Sequence, residues 1–150
     1  MQVRRWVVLG VLGLLGLGLT ACSQEVAGND LEVGDCTGSE IESTEIDAVS
    51  CDEDHAYEVF AVFDVDGDDF PGASEISAEA EACNGDLFED YVGTPYDSSD
   101  IYTQTLVPTE ETWNEADDRT ILCFLYEPVD AAAGNLEPKT VNESFEGAER

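Results

Sequence analysis

Positive charge is almost missing from this sequence. Lys and Arg number 5 against 35 Asp and Glu, a formal net charge of −30 over 150 residues. Such a surface repels phosphate backbones, so nucleic acid is excluded as a partner. Histidine occurs once, as His55, and a lone His without a second His or a free Cys makes a poor zinc site. There is no Gly-rich phosphate loop, no zinc pair and no Ser-His-Asp order. A pair of acids could run glycoside hydrolysis, but among 35 no pair stands out. The expectation is a protein that is not an enzyme and carries no cofactor.

Long apolar runs are also missing. The longest, WVVLGVLGLLGLGL, has about 14 residues, the length of a signal-peptide core and too short for a comfortable membrane span. It follows the basic start MQVRR and ends in LTAC, Leu19 to Cys22. That pattern resembles the bacterial lipobox, in which the cysteine is alkylated with diacylglycerol and the preceding peptide is removed. The implied organisation is a lipoprotein signal peptide over 1–21, a lipid on Cys22 and a polar tether over 22–30. A domain over 31–128 and an acidic tail over 129–150, with one candidate edge strand in VNESF, complete it. The implied location is the outer face of the cytoplasmic membrane. After cleavage only Arg119, Lys139 and Arg150 oppose the acids, so the lipid and not the surface holds the chain to the bilayer.

High net charge alone points to disorder. HAYEVFAVF and RTILCFLY point the other way, being dense in aromatic and β-branched residues, as do five cysteines. With Cys22 assigned to lipid, Cys36, Cys51, Cys83 and Cys123 remain, and outside the cytoplasm four cysteines make two disulfides in one of three pairings. Cys36 with Cys51 and Cys83 with Cys123 is the favoured pairing. The first would clip the polar insert TGSEIESTEIDAVS, and a loop of that size gains roughly 3 kcal/mol from closure. The second would tie a helix to a strand.

The stretch CDEDHAYEVF poses the main chemical question. Cys51 and His55 read either as nucleophile and base or as staple and strand start. An oxidised cysteine is no nucleophile, so the structural reading is preferred. HAYEVFAVFDV is one long strand in which Tyr57, Val59, Ala61 and Phe63 form one face. DGDDFPG is a turn. SAEAEACNGDLFEDYVG is the main helix, capped by Ser77 and ended by Gly93, with Ala80, Cys83, Leu87 and Tyr91 on one face and Phe88 beside them. IYTQTLV is a strand, TEETWNEADD a short helix capped by Thr109 and anchored by Trp113, and RTILCFLYE the last clear strand. The class is α+β: a small disulfide-stapled antiparallel sheet with one main helix packed on it.

DVDGDDFPGASE places Asp64, Asp66, Asp68 and Glu75 at positions 1, 3, 5 and 12 of a calcium loop. Position 6 is Asp69 where glycine belongs, and Pro71 interrupts the run. These carboxylates are the one weak candidate for Ca2+; a solvated acidic turn is preferred.

VGDC (33–36), VSCDEDHAYEVFAVF (49–63), FPG (70–72), EAC (81–83), YVG (91–93), PTEETW (108–113) and DRTILC (118–123) stand together in one order. In that order the chain resembles the septum-formation domain, a small extracytoplasmic module of actinobacterial membrane-anchored proteins and lipoproteins. The resemblance implies a non-catalytic envelope domain and brings no catalytic residue. Its carried positions are Cys36, Cys51, Cys83 and Cys123, His55 after the second cysteine, and Trp113. The chain departs from the pattern at Asp54, where Pro is expected, and at Asp117, where Gly is expected.

The leading expectation is therefore a lipid-anchored interaction module meeting an envelope protein or wall polymer, linked to septum formation or wall assembly. Its candidate contacts are Phe70 and Trp113. The alternative is an extracytoplasmic calcium or small-ligand binding protein.

Overall fold

The computed structural model describes residues 24–27, 30–38, 40–42 and 45–150. The leader and Cys22 lie outside them. Among the described residues, no helix is long and apolar enough to cross a membrane.

One antiparallel sheet forms the body. Its strands are β1 (Gln24–Ala27), β2 (Cys36–Thr37), β3 (Glu45–Val49), β4 (Tyr57–Asp64), β5 (Tyr102–Leu106) and β6 (Thr120–Tyr126). They lie in the order β1-β3-β2-β4-β6-β5. Helices α1 (Ala73–Ala80) and α2 (Asp86–Val92), joined by a 3-10 turn over Glu81–Asn84, make the main helical segment. A shorter helix, α3 (Glu110–Glu115), leads into β6, and a hairpin of β7 (Pro128–Asp130) and β8 (Asn135–Pro138) follows it. This is the expected α+β architecture. Four residues of the stretch read as a tether, Gln24–Ala27, pair with β3 as an edge strand.

The faces of β4 differ from the simple alternation. A register shift between Val59 and Ala61 leaves Phe60 as an extra residue opposite β6. An inserted residue flips everything beyond it to the other face. Tyr57 and Val59 therefore pack with Leu122, Phe124 and Tyr126, under Leu31, Ile41 and Ile46. Phe60, Ala61 and Phe63 pack on the opposite face with Ile121, Cys123, Leu125 and the helices. The expected single face of Tyr57, Val59, Ala61 and Phe63 is thus divided between two cores.

The main helical segment also differs in detail. It begins at Ala73 after Gly72, not after Ser77, and has no side-chain cap. The Ser77 hydroxyl instead donates to the Ala73 carbonyl inside α1, at 2.8 Å. Gly85 sits at φ −102, ψ −138, outside helical space, and ends the first run. The restart turns Phe88 and Val92 inward and leaves Leu87 exposed, where an unbroken helix would bury Leu87. Full burial of a side chain such as Phe88 contributes about 1.5–3 kcal/mol, which favours the broken helix over a regular one. Gly93 closes α2 in the left-handed region at φ 86, and a Cβ there would meet the Glu149 side chain at 3.1 Å. Thr109 caps α3 in a reciprocal capping box with Thr112.

The C-terminal stretch expected as a tail is folded onto the domain. Beyond the β7–β8 hairpin, Val141 exchanges two backbone hydrogen bonds with His55. Phe145 is fully buried in the helix-side core. Gly147 and Glu149 donate their N–H groups to the carbonyls of Tyr91 and Val92. VNESF contributes a single bridge at Val141 and a core anchor at Phe145, not a strand.

Candidate functional site

Two disulfides frame the chemistry-bearing residues. Cys36 is joined to Cys51 and Cys83 to Cys123, the pairing favoured from the sequence. The first clips β2 to the turn before β4, and the second ties the 3-10 turn to β6.

His55 follows the first disulfide at the entry to β4. It is 2% exposed. Its Nδ1 lies 2.8 Å from the Glu53 carbonyl, which places the proton on that nitrogen as donor. Its ring stands edge-on to Phe145, with centroids 6.4 Å apart. Nε2, the nitrogen that would serve a nucleophile, is buried and has no hydrogen-bond partner among the described residues. The sulfur of Cys51 is already spent on Cys36. The CDEDH stretch is a staple, a turn and a strand start.

Glu58 is the residue that sequence reading missed. It occupies a β4 position where an acid should face water, yet its exposure is 0%. Tyr91 Oη and Ser144 Oγ both donate to Oε1 at 2.6 Å, and the Phe145 backbone N–H donates to Oε2 at 2.6 Å. Burying a carboxylate costs several kcal/mol unless such donors satisfy it. All three donors come from elements distant in sequence, so the acid joins β4, α2 and the C-terminal stretch at one point. Burial, and then the hydrogen bond to Glu58, push the Tyr91 phenol well above its ordinary range. Glu58 also lies within 4.8 Å of the Cys36 and Cys51 sulfurs. That trio is the one described group with metal-ligand proximity, but a disulfide offers no thiolate. What the arrangement does chemically is clamp.

Trp113, a carried position and a contact candidate, is 1% exposed. Its Nε1 donates to the Asp68 carbonyl at 3.2 Å, the Arg119 guanidinium lies 3.8 Å over its ring, and Phe70 packs against its edge. Phe70 is half-buried in the same cluster. The two aromatics anchor the turn after β4; Trp113 presents no open surface and Phe70 stays only partly exposed. The acidic turn itself does not converge. Asp64 accepts from Thr120 Oγ1 at 2.9 Å, and no trio of Asp64, Asp66, Asp68 and Glu75 has carboxylate oxygens within 4.8 Å of one another.

The model of the family described as septum formation matches residues 33–147. The chain belongs to the septum-formation family. The match runs from the VGDC motif through the C-terminal stretch that Glu58 holds, so in this septum-formation domain the folded-back end is part of the family unit. The family description links the protein to septum formation. No curated protein and no solved structure matches the chain.

Proposed function

We propose that this septum-formation domain is a lipid-anchored, non-catalytic interaction module on the outer face of the cytoplasmic membrane. It serves septum formation or wall assembly by presenting a surface to an envelope protein or wall polymer. The observation that carries the reading is the pair of disulfides in one small domain, because such bonds persist in oxidising compartments and are rare in the cytosol. The LTAC sequence at Cys22 supplies the anchor that fits that compartment. The use of His55, Glu58 and Trp113 in packing supports a binding role over a catalytic one. Tethering raises the local concentration of the domain at the membrane, so weak contacts suffice.

The test is the intact mass of the protein taken from the membrane fraction, with and without reduction. The expected species lacks residues 1–21, carries a diacylglycerol on Cys22, and reacts with a maleimide at four cysteines only after reduction. A chain that keeps its leader and carries no lipid would contradict the anchor. Free thiols at Cys36, Cys51, Cys83 or Cys123 would contradict the compartment.

A further inference from the structure

Strand β5 ends the sheet with one side open. It pairs with β6 and lies at the edge of the order β1-β3-β2-β4-β6-β5. Proteins blunt such edges with charge, proline or bulges, because unpaired N–H and C=O groups invite another strand. The sequence YTQTL has no charge and no proline, and its pairing with β6 runs from Tyr102 to Leu106 without a register shift. Among the described residues, no loop backbone hydrogen-bonds to these five residues. The edge is thus roughly 17 Å of unguarded backbone.

A cavity of about 380 Å³ runs beside it. Ser77, Glu81 and Asn84 line it from α1 and the 3-10 turn, and Thr103, Gln104 and Thr105 line it from β5. Its width is fixed at two points. Cys83 is bonded to Cys123, which stands opposite Thr105, and the Thr103 hydroxyl donates to Asn84 Oδ1. A groove built in advance loses little entropy when it is filled. Its single charged lining residue is Glu81. Beyond the leader, the cations are Arg119, stacked on Trp113, and Lys139 and Arg150, both paired with Glu127. None of them lines the groove.

We propose that this groove docks an extended, Lys- or Arg-rich segment of an envelope protein, which adds to β5 as an antiparallel or parallel strand. The inference rests on the interaction-module reading and names its contact surface. Charge selects the occupant: a cationic peptide meets Glu81 in the groove and a chain of net charge −30, whereas a second copy of this chain would bring another −30.

The test uses the full chain in detergent micelles, labelled for NMR. It is titrated with a short peptide alternating Lys and Val, with its Glu counterpart and with a soluble wall glycan fragment. The Lys peptide is expected to shift the amides of Ser77–Asn84 and Tyr102–Leu106 and to slow exchange along β5, while the other two probes leave them unmoved. Ser77→Trp, which fills the groove from an exposed position, and Glu81→Lys are each expected to weaken binding roughly tenfold or more. Neither changes the melting temperature. Equal binding of the Glu peptide, shifts confined to other surfaces, the glycan taking the groove, or a dimer formed through β5 would each overturn the proposal. Peptide binding by a chain that proves unlipidated leaves this inference standing and removes the anchored-module reading, so the two fail separately.

Discussion

The carboxylate of Glu58 accepts the backbone N–H of Phe145 at 2.6 Å, across 87 residues of sequence. One buried acid on β4 thereby fixes the position of the C-terminal stretch, with Tyr91 and Ser144 completing its shell. Replacing it by alanine leaves three inward-facing donors without an acceptor. Glu58→Ala is expected to cost about 3–5 kcal/mol, as for breaking a buried charged network. Urea unfolding would measure the loss. Hydrogen exchange would show it centred on Phe145, Gly147 and Glu149, whose backbone amides are held by Glu58, Tyr91 and Val92.

Tyr91 gives the same cluster a pH signature. Its pKa is raised in the folded state, first by burial and then by Glu58. Below pH ~10 the phenol is protonated in both states, and its contribution to stability is fully present. Above that, the unfolded chain ionises while the folded one resists, so stability falls as pH rises through the folded pKa. Tyr57 and Tyr126 are raised by burial too and act in the same direction. Tyr91→Phe is expected to lose about 1.5–3 kcal/mol at neutral pH, the value of a hydrogen bond to a charged group. Its melting temperature should then decline less steeply between neutral and strongly alkaline pH than that of the natural protein.

The two disulfides close loops of 15 and 40 residues. Chain entropy assigns about 3 kcal/mol to the shorter and about 4 kcal/mol to the longer. Paired Cys→Ser substitutions should follow that order in denaturant midpoints. Losing the Cys83–Cys123 bond should in addition loosen the 3-10 turn against β6, seen as faster exchange at Glu81–Asn84.

Asp117 holds a left-handed backbone at φ 55. It stands where the family pattern leads one to expect glycine. A non-glycine residue there carries a strain of about 1–2 kcal/mol. Its ion pair with Arg119, at 3.0 Å, is almost fully exposed on the Asp117 side and offsets little of that. Asp117→Gly is expected to raise stability by about 0.5–1 kcal/mol after the entropy cost of glycine. Asp117→Ala, which keeps the strain and removes the polar side chain, should lower it. Thermal melts of the two variants check the sign.

The parts legible in the sequence are those set by local chemistry. Thr109 capping α3, Gly93 ending α2 and the short Cys36–Cys51 loop each follow from residues close in the chain. The same holds for the strand character of TILCFLY, whose alternate residues feed two cores. What stayed hidden depends on distant partners. The extra residue Phe60 is invisible in alternation and becomes a bulge only against β6. An acid between Tyr57 and Val59 reads as a solvent position, and only Ser144 and Phe145 returning from the C-terminus make Glu58 a core residue. The stretch VNESFEGAER reads as an acidic tail with at most an edge strand, because one aromatic among acids carries no periodic signal that would mark Phe145 as core. The helix start moved from Ser77 to Ala73 because Gly72 offers no side-chain cap to recognise.

The most direct test of the account is the position of the full lipidated protein in dividing cells, imaged beside a Cys22→Ala control. The natural protein is expected to be enriched at the division septum and to lose that enrichment when the anchor is removed. A uniform membrane signal, or septal enrichment that survives Cys22→Ala, would contradict it.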